Sequence, residues 1–177
     1  MNNKRLSKFL SLILRHRPEK LGIVLDEKGW ANTQEIISKL QQQNPSINLE
    51  KIQNVVENCP KQRFKLSEDC SKIRANQGHS VKVELGFEAS TPPKILFHGT
   101  AARNKAAILE KGITKRKRQY VHLSFERETA LKVGQRHGKP IILEINTEQM
   151  AADKLLFYQA ENGVWLTDYI DPKYISI

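Results

Sequence analysis

The first third of the chain repeats apolar residues at steps of three and four, the period of an amphipathic helix. The first apolar face is made of Leu6, Phe9, Leu10, Ile13 and Leu14. Pro18 cannot continue a helix, so we predict that this helix ends close to Arg17. Asn32 and Asn48 are suited to cap two further helices. The pattern therefore predicts three helices at the start of the chain.

Short extended segments follow these helices. Residues 63–67 and 72–75 predict a β-hairpin around a polar turn. Three helices and a hairpin are the outline of a winged-helix module, which serves in nucleic-acid binding and equally in scaffolding. A polar join at residues 88–93 contains two consecutive prolines. We place a domain boundary there, which divides the chain into residues 1–88 and 89–177.

The second half is richer in short strands. Strands are predicted at residues 95–98, 120–123, 140–145 and 163–166, and helices at 104–111 and 127–135. Strands and helices mixed in this way predict a compact α+β domain. The fold class expected for the whole chain is therefore α+β.

Charge adds a hint about partners. Lys and Arg total 29 against 19 Asp and Glu, a net charge of +10. Such an excess favours a polyanionic partner, although it also aids solubility by itself. Cys59 and Cys70 match no metal spacing and suggest no disulfide framework, so no metal is expected. The apolar run at residues 9–14 is too short to span a membrane. We expect a cytoplasmic monomer without a membrane partner.

Motif searching excludes several common enzyme classes. The chain has no dinucleotide-binding glycine fingerprint, no phosphate-binding P-loop and no serine-hydrolase elbow. Arg and His residues at the ends of predicted elements are what remain. Six blocks stand out, and all but the last contain such residues: they lie at residues 14–18, 63–64 with 73–80, 96–100, 118–124, 133–138 and 162–167. In sequence and order these blocks resemble the KptA-type RNA (tRNA) 2′-phosphotransferase family, along nearly the whole chain.

The resemblance implies a fold and a set of site residues. Residues 1–88 would be a winged-helix lobe that binds RNA, and residues 89–177 an NAD-binding lobe of the ADP-ribosyltransferase fold. The implied catalytic residues are Arg15, His16, Arg63 and Arg118. The implied NAD contacts are His98, Gly99, Thr100, His122, Ser124, Gly134 and Val164. The implied RNA contacts are Arg17, Arg74, Asn76, Gln77 and His79.

The family's reaction has two steps and consumes NAD. An internal 2′-phosphate of RNA attacks the nicotinamide ribose and releases nicotinamide, which leaves an ADP-ribosylated RNA 2′-phosphate. A ribose hydroxyl then attacks the phosphorus, giving RNA with a 2′-OH and ADP-ribose 1″,2″-cyclic phosphate. Terminal phosphates of nucleic acids are a possible side substrate. The physiological RNA is a tRNA splice junction in eukaryotic members, and the sequence does not identify it here.

The residue types suit this chemistry. Arginine binds phosphate through two parallel hydrogen bonds and keeps its proton, so we assign Arg15 and Arg63 to the transferred phosphate. His16 would donate to the same phosphate or move a proton, and Arg118 would balance charge in the second step. Many ADP-ribosyltransferases have a Glu where this chain has Val164. A phosphate is already ionised at neutral pH and needs no general base.

Other interpretations remain open at this point. His98 and His122, on apolar strands, are also typical of buried histidines that serve packing. Arg15 and Arg17 lie at a helix end, where their positive charges could simply stabilise the negative end of the helix dipole without any role in binding. Glu161 is a reserve candidate for an active-site carboxylate. Whole-chain alternatives are an RNA-binding protein without catalysis and an ADP-ribosyltransferase that acts on a protein or a nucleic-acid end. For Gly99 we expect a close backbone approach to a ligand.

Overall fold

The structure is a computed structural model that describes residues 1–177. The chain forms two compact units, Met1–Gly86 and Phe87–Ile177, each with its own hydrophobic core. Antiparallel sheets and helices occur in both units, so the mixed α and β composition expected from the sequence is confirmed. None of the helices is long and apolar enough to cross a lipid bilayer.

Unit 1 consists of three helices and one small sheet. Its helices are α1 (Asn3–Arg15), α2 (Thr33–Gln41) and α3 (Leu49–Glu57), and its strands are β1 (Trp30–Asn32), β2 (Phe64–Leu66) and β3 (Lys72–Ala75). Both predicted caps are confirmed. The Asn32 side chain accepts a hydrogen bond from the Glu35 N–H, and the Asn48 side chain accepts one from the Lys51 N–H.

The sheet of unit 1 has the order β1-β3-β2, and both pairings are antiparallel. The predicted hairpin is confirmed, with Phe64 opposite Ala75 and Leu66 opposite Ile73. Strand β1 was not predicted, because three residues are too few to show an alternating pattern. It lies between α1 and α2 in the chain and adds the third strand beside β3.

Helix α1 is held by its apolar face. Leu6, Leu10, Ile13 and Leu14 are fully buried in the core of unit 1, and Phe9 packs partly buried against it. Each such side chain stabilises the fold by about 1.5–3 kcal/mol. The helix ends at Arg15, and the His16 N–H still bonds to the Leu12 carbonyl. The two basic residues therefore sit at the end of a firmly anchored helix.

Unit 2 is built around short strands. Its strands are β4 (Ile95–Ala101), β5 (Ile113–Thr114), β6 (Val121–Leu123), β7 (Pro140–Asn146), β8 (Tyr158–Gln159), β9 (Trp165–Thr167), β10 (Tyr169–Ile170) and β11 (Ile175–Ser176). Its helices are α4 (Lys105–Lys111), α5 (Arg127–Gly134) and α6 (Thr147–Ala152). The predicted helices and longer strands are confirmed within two to three residues at each end. The two-residue strands and α6 were not predicted.

The strands of unit 2 form two three-stranded antiparallel sheets, with orders β11-β7-β4 and β6-β9-β8, and a separate β10-β5 pair. Phe97 in β4 and Ser124 after β6 join the two larger sheets. Their backbones exchange two hydrogen bonds, each of 2.9 Å. This junction places His98 of β4 next to the end of β6, where His122 lies.

Candidate functional site

In unit 1 the segment after β3 folds back onto the end of α1. The Ser80 N–H donates to the Arg15 carbonyl at 2.8 Å, and the Ser80 hydroxyl lies 3.0 Å from His16 Nδ1. Gly78 makes this turn with a φ of +89°, a conformation that favours glycine. The fold therefore brings the sequence block around Gly78 against the block that contains Arg15 and His16.

Arg63 belongs to the same group. Its carbonyl accepts hydrogen bonds from the Asn76 N–H at 2.9 Å and from Arg15 Nη2 at 3.4 Å. Its own guanidinium donates through Nη1 to the Cys59 sulfur at 3.2 Å. Arg63 is distant in sequence from the adjacent residues Arg15 and His16, and these contacts bring the three together in one basic cluster of unit 1.

His79 is the buried member of this cluster. It is 1% exposed, and both ring nitrogens are buried without a hydrogen-bond partner. Burial, and then the positive charges of Arg15, His16 and Arg74, lower the pKa of His79 to about 4. The ring is therefore neutral at neutral pH. The side chain has almost no exposed surface in this conformation, and the RNA contact predicted for His79 stays a prediction.

Asn76 is also buried and makes a contact that the sequence did not predict. It is 8% exposed, and its side-chain amide donates to the Gln62 carbonyl at 2.7 Å. A buried side chain bonded in this way holds the chain segment before Arg63. The direct RNA contact predicted for Asn76 stays a prediction. Gln77 is partly exposed, and its predicted contact stays a prediction.

The two remaining basic residues of the predicted RNA set are occupied differently. Arg74 stacks over the Trp30 ring, 4.7 Å from its centroid, in the paired strands β3 and β1. Arg17 is exposed and forms an ion pair with Glu19 at 3.0 Å, which lowers the pKa of that carboxyl group. An exposed pair of this kind exchanges readily with solvent. Both residues stay predictions as RNA contacts.

In unit 2, His98 has a defined tautomer. Its Nδ1 lies 3.1 Å from the His122 carbonyl, which can only accept, so the proton is on Nδ1. Burial lowers the pKa of His98, and the charges of Arg116, Arg118 and His137 lower it further. The ring is neutral at neutral pH, and its Nε2 is left as a hydrogen-bond acceptor.

Arg118 closes a tight turn near His98. Its N–H donates to the Lys115 carbonyl at 3.0 Å, and Arg116 within the turn adopts a left-handed φ of +52°. The Lys115 ammonium binds Asp168 at 2.5 Å, which fastens the turn. Removal from water lowers the pKa of Arg118, although an arginine keeps its charge at neutral pH. Arg118 thus belongs to unit 2, whereas the other three predicted catalytic residues belong to unit 1.

Gly99 and Gly134 have a packing role. A Cβ on Gly99 would lie 1.7 Å from the Ala130 carbonyl of α5, and one on Gly134 would lie 2.9 Å from the Thr100 carbonyl of β4. The missing side chain of Gly99 makes room for α5, and the close backbone approach to a ligand expected there stays a prediction. Thr100 is buried, and its hydroxyl accepts from the Asn104 amide at 3.0 Å.

Three other predicted residues of unit 2 are in backbone contacts. The Ser124 backbone bonds to Phe97 at the junction of the sheets, and His122 supplies the carbonyl that holds His98. The Val164 carbonyl accepts from the Ala160 N–H at 2.9 Å, and its side chain is half-buried. Glu161 in the same turn is exposed. NAD contacts at these positions stay predictions.

Sequence reasoning missed Cys59, Trp30 and Ser80. Cys59 lies four residues before Arg63, and Trp30 faces Arg74 across a strand pair. Neither relation is visible without the turn before β2 or the pairing of β1. Ser80 stood inside a recognised block, so its place in the motif was the available signal.

A family model and individual relatives of this chain carry the same description. The model of the RNA 2′-phosphotransferase, Tpt1 / KptA family matches residues 1–169. A protein of Acaryochloris marina named "Probable RNA 2′-phosphotransferase" is 52% identical over 171 residues, 97% of this chain and 94% of its own length. Proteins with the same name from Flavobacterium johnsoniae and Agrobacterium fabrum are 49% and 50% identical, over 98% and 97% of this chain and 95% and 92% of their own lengths. The chain belongs to the RNA 2′-phosphotransferase, Tpt1 / KptA family.

Proposed function

We propose that this protein is an NAD-dependent RNA 2′-phosphotransferase, which removes an internal 2′-phosphate from RNA by transferring it to the ADP-ribose part of NAD. The observation that carries the proposal is the basic cluster of unit 1, where Arg15 Nη2 donates to the Arg63 carbonyl and Ser80 contacts both the Arg15 carbonyl and the His16 ring. Membership of a family named for this activity supports it.

The cluster has the properties that a phosphomonoester site needs. A 2′-phosphomonoester carries close to two negative charges, and bidentate guanidinium contacts neutralise them with defined geometry. Arg15 and Arg63 would hold the phosphate, and His16 would donate a hydrogen bond to it. Backbone contacts from Ser80 and Asn76 fix the chain at Arg15 and Arg63 before any substrate binds. Preorganised charge of this kind stabilises a transition state without further rearrangement.

Unit 1 has the order of elements expected of a winged helix. Its first strand lies between α1 and α2, and the β2–β3 hairpin follows α3 as the wing. We propose that this unit binds the RNA. Unit 2, with two small antiparallel sheets joined at Phe97 and Ser124, would be the lobe of the ADP-ribosyltransferase type.

The donors and acceptors of unit 2 fit NAD as the co-substrate. His98 Nε2 is an acceptor, which suits a ribose hydroxyl as donor. Arg116 and Arg118 add positive charge near His98, which suits a pyrophosphate. Bound NAD would supply an activated ribose carbon with nicotinamide as the leaving group. Gly99 and Gly134 would act indirectly, by packing α5 onto β4.

The proposed reaction proceeds through an ADP-ribosylated RNA 2′-phosphate. The 2′-phosphate oxygen forms a bond to the ribose carbon as nicotinamide leaves. A ribose hydroxyl then attacks the phosphorus, which frees RNA with a 2′-OH and ADP-ribose 1″,2″-cyclic phosphate. Arg118 would stabilise the charge of the second step. Val164 in place of a glutamate suits a nucleophile that is already ionised.

The test uses one oligoribonucleotide with a single internal 2′-phosphate and a matched oligonucleotide with a 2′-OH. The 2′-phosphorylated RNA should be converted to the 2′-OH form only when NAD is present, with one nicotinamide released per phosphate removed. Loss of phosphate without NAD would contradict the mechanism. Tight binding without turnover would favour an RNA-binding protein, and NAD-dependent labelling of a protein or of an RNA end in preference to the internal phosphate would favour a different transferase.

A further inference from the structure

Arg63 is held both by its side chain and by its backbone. It lies in the connection between α3 and β2, and its guanidinium donates through Nη1 to the Cys59 sulfur at 3.2 Å. Its carbonyl is bound by the Asn76 N–H at 2.9 Å. An arginine side chain has about 2 kcal/mol of rotamer entropy to lose when it is ordered. A fixed rotamer before substrate binding therefore favours phosphate binding.

The segment before Arg63 is conformationally unusual. Gln62 has a left-handed φ of +41°, which is uncommon for a residue with a side chain. Its N–H donates to the Cys59 carbonyl at 2.8 Å, and its carbonyl accepts from the Asn76 side-chain amide at 2.7 Å. Asn76 thus secures a backbone conformation that sets the direction in which Arg63 leaves the chain.

Both partners are buried, which limits the competition from water at each contact. Cys59 is 6% exposed and Asn76 is 8% exposed. A thiol is a weak acceptor, and its hydrogen bond with a guanidinium is stronger in buried surroundings than in water. Their small exposed fractions favour an indirect role over direct contact with the phosphate. Cys59 contacts the Arg63 guanidinium, and the Asn76 side chain contacts the carbonyl of the residue before Arg63.

We propose that Cys59 and Asn76 are positioning residues that fix Arg63 for binding of the RNA 2′-phosphate. Cys59 fixes the guanidinium, and Asn76 fixes the backbone from which it extends. This inference rests on the proposed function, because it assigns the phosphate to Arg63. It gives the cysteine a role that involves neither a disulfide nor a metal.

The test measures affinity for the 2′-phosphorylated oligonucleotide and for its 2′-OH counterpart, without NAD. Cys59→Ala should weaken binding of the phosphorylated form about fivefold, and Asn76→Ala about tenfold, because each removes one buried hydrogen bond that orders Arg63. Affinity for the 2′-OH form should stay within about twofold of wild type. Cys59→Ser retains an acceptor and should restore most of the affinity lost in Cys59→Ala.

Cys70→Ala is the matched control. The Cys70 sulfur also accepts a hydrogen bond from a side chain, that of Gln53 at 3.4 Å, and makes no contact with Arg63. This variant should bind both oligonucleotides like wild type. In an Arg63→Ala background, Cys59→Ala and Asn76→Ala should have no further effect on phosphate affinity, since each acts through the missing guanidinium.

The outcomes separate the possibilities. Equal weakening for both oligonucleotides, or full effects of Cys59→Ala in the Arg63→Ala background, would mean that Cys59 serves the fold alone and would overturn the inference. Wild-type affinity in Cys59→Ala would overturn it as well. If Asn76→Ala does not fold, the Ala and Ser variants of Cys59 decide the matter. A failure of the proposed function looks different: wild type itself would not distinguish the two oligonucleotides, and the inference would fall with it.

Discussion

The two units use glycine and positive charge in different ways. In unit 1, Gly78 has a left-handed φ and turns the chain so that Ser80 reaches Arg15. In unit 2, Gly99 and Gly134 lie at the contact between α5 and β4, where a side chain would collide with backbone. One glycine allows a conformation and the other two allow a close approach. Glycine in a motif therefore does not by itself indicate a ligand.

The arginines of the two units also differ in how they are held. In unit 1 the carbonyl groups of Arg15 and Arg63 both accept backbone hydrogen bonds, and Arg15 Nη2 also donates to the Arg63 carbonyl. Arg118 in unit 2 sits on a turn held by the pair of Lys115 with Asp168. In the proposed reaction the phosphate is bound before the first step, which favours arginines that are ordered in advance, and the contacts of Arg15 and Arg63 provide that order. Arg118, whose charge is proposed to act in the second step, lies on a turn instead.

The largest expected effect is on catalysis, when an arginine of the basic cluster of unit 1 is removed. Arg15→Ala should lower kcat/KM for a 2′-phosphorylated RNA by about a thousandfold, because one preorganised donor to the reacting phosphate is worth 10²–10³ or more. The measurement is NAD-dependent formation of the 2′-OH product. Lys8→Ala removes the same charge from an exposed position on the same helix and should change the rate by less than about twofold. Similar rates in the two variants would contradict the assignment.

Arg118→Ala tests the other unit. We expect about a hundredfold slower second step with a first step close to normal, because its charge is assigned to that step. ADP-ribosylated RNA should therefore accumulate and be visible as a slower-migrating band in a single-turnover assay. Lys117→Ala, in the same turn, is the control and should show no accumulation. A variant of Arg118 that forms final product at the wild-type rate would show that this arginine has no part in the step.

Gly99→Ala tests the packing of unit 2. The new Cβ would meet the Ala130 carbonyl, so we expect a loss of about 3 kcal/mol or more in the free energy of unfolding, or no folded protein. Gly163→Ala is the comparison in the same unit. Gly163 has a φ of +77° but open space around it, and the change should cost about 1 kcal/mol. Urea unfolding of both variants at neutral pH measures the difference, and equal costs would refute the packing argument.

His79 tests the buried part of the unit 1 cluster through pH. Its pKa of about 4 in the folded protein is below the usual value of 6.5, so the unfolded chain binds the proton more tightly. Stability contributed by neutral His79 is therefore present above pH 6.5 and is lost as pH falls towards 4. The loss should be about 2 kcal/mol between pH 7 and pH 5.

The variant His79→Gln removes this proton and should flatten that part of the stability curve. His137→Gln, at an exposed histidine of unit 2, should leave the curve unchanged. The measurement is the free energy of unfolding by urea between pH 5 and pH 7. A curve for His79→Gln with the wild-type slope would show that His79 is not the group responsible.

The sequence by itself determined the local features of this protein. The apolar face of α1, the caps Asn32 and Asn48 and the β2–β3 hairpin depend on residues close together in the chain, so periodicity and side-chain type predict them. The family could also be identified from the sequence, because its blocks are contiguous segments.

Only the tertiary structure decided which contacts each block residue makes. Asn76 and His79 stand in a recognised block, yet both are buried, and Gly99 faces a helix. Cys59 acquires a contact with Arg63 only through the turn before β2. Burial and hydrogen-bond partners depend on residues brought together from distant parts of the chain. A pattern of neighbouring residues contains no information on those contacts, so it predicts which segments form the candidate site but not which of their side chains are buried.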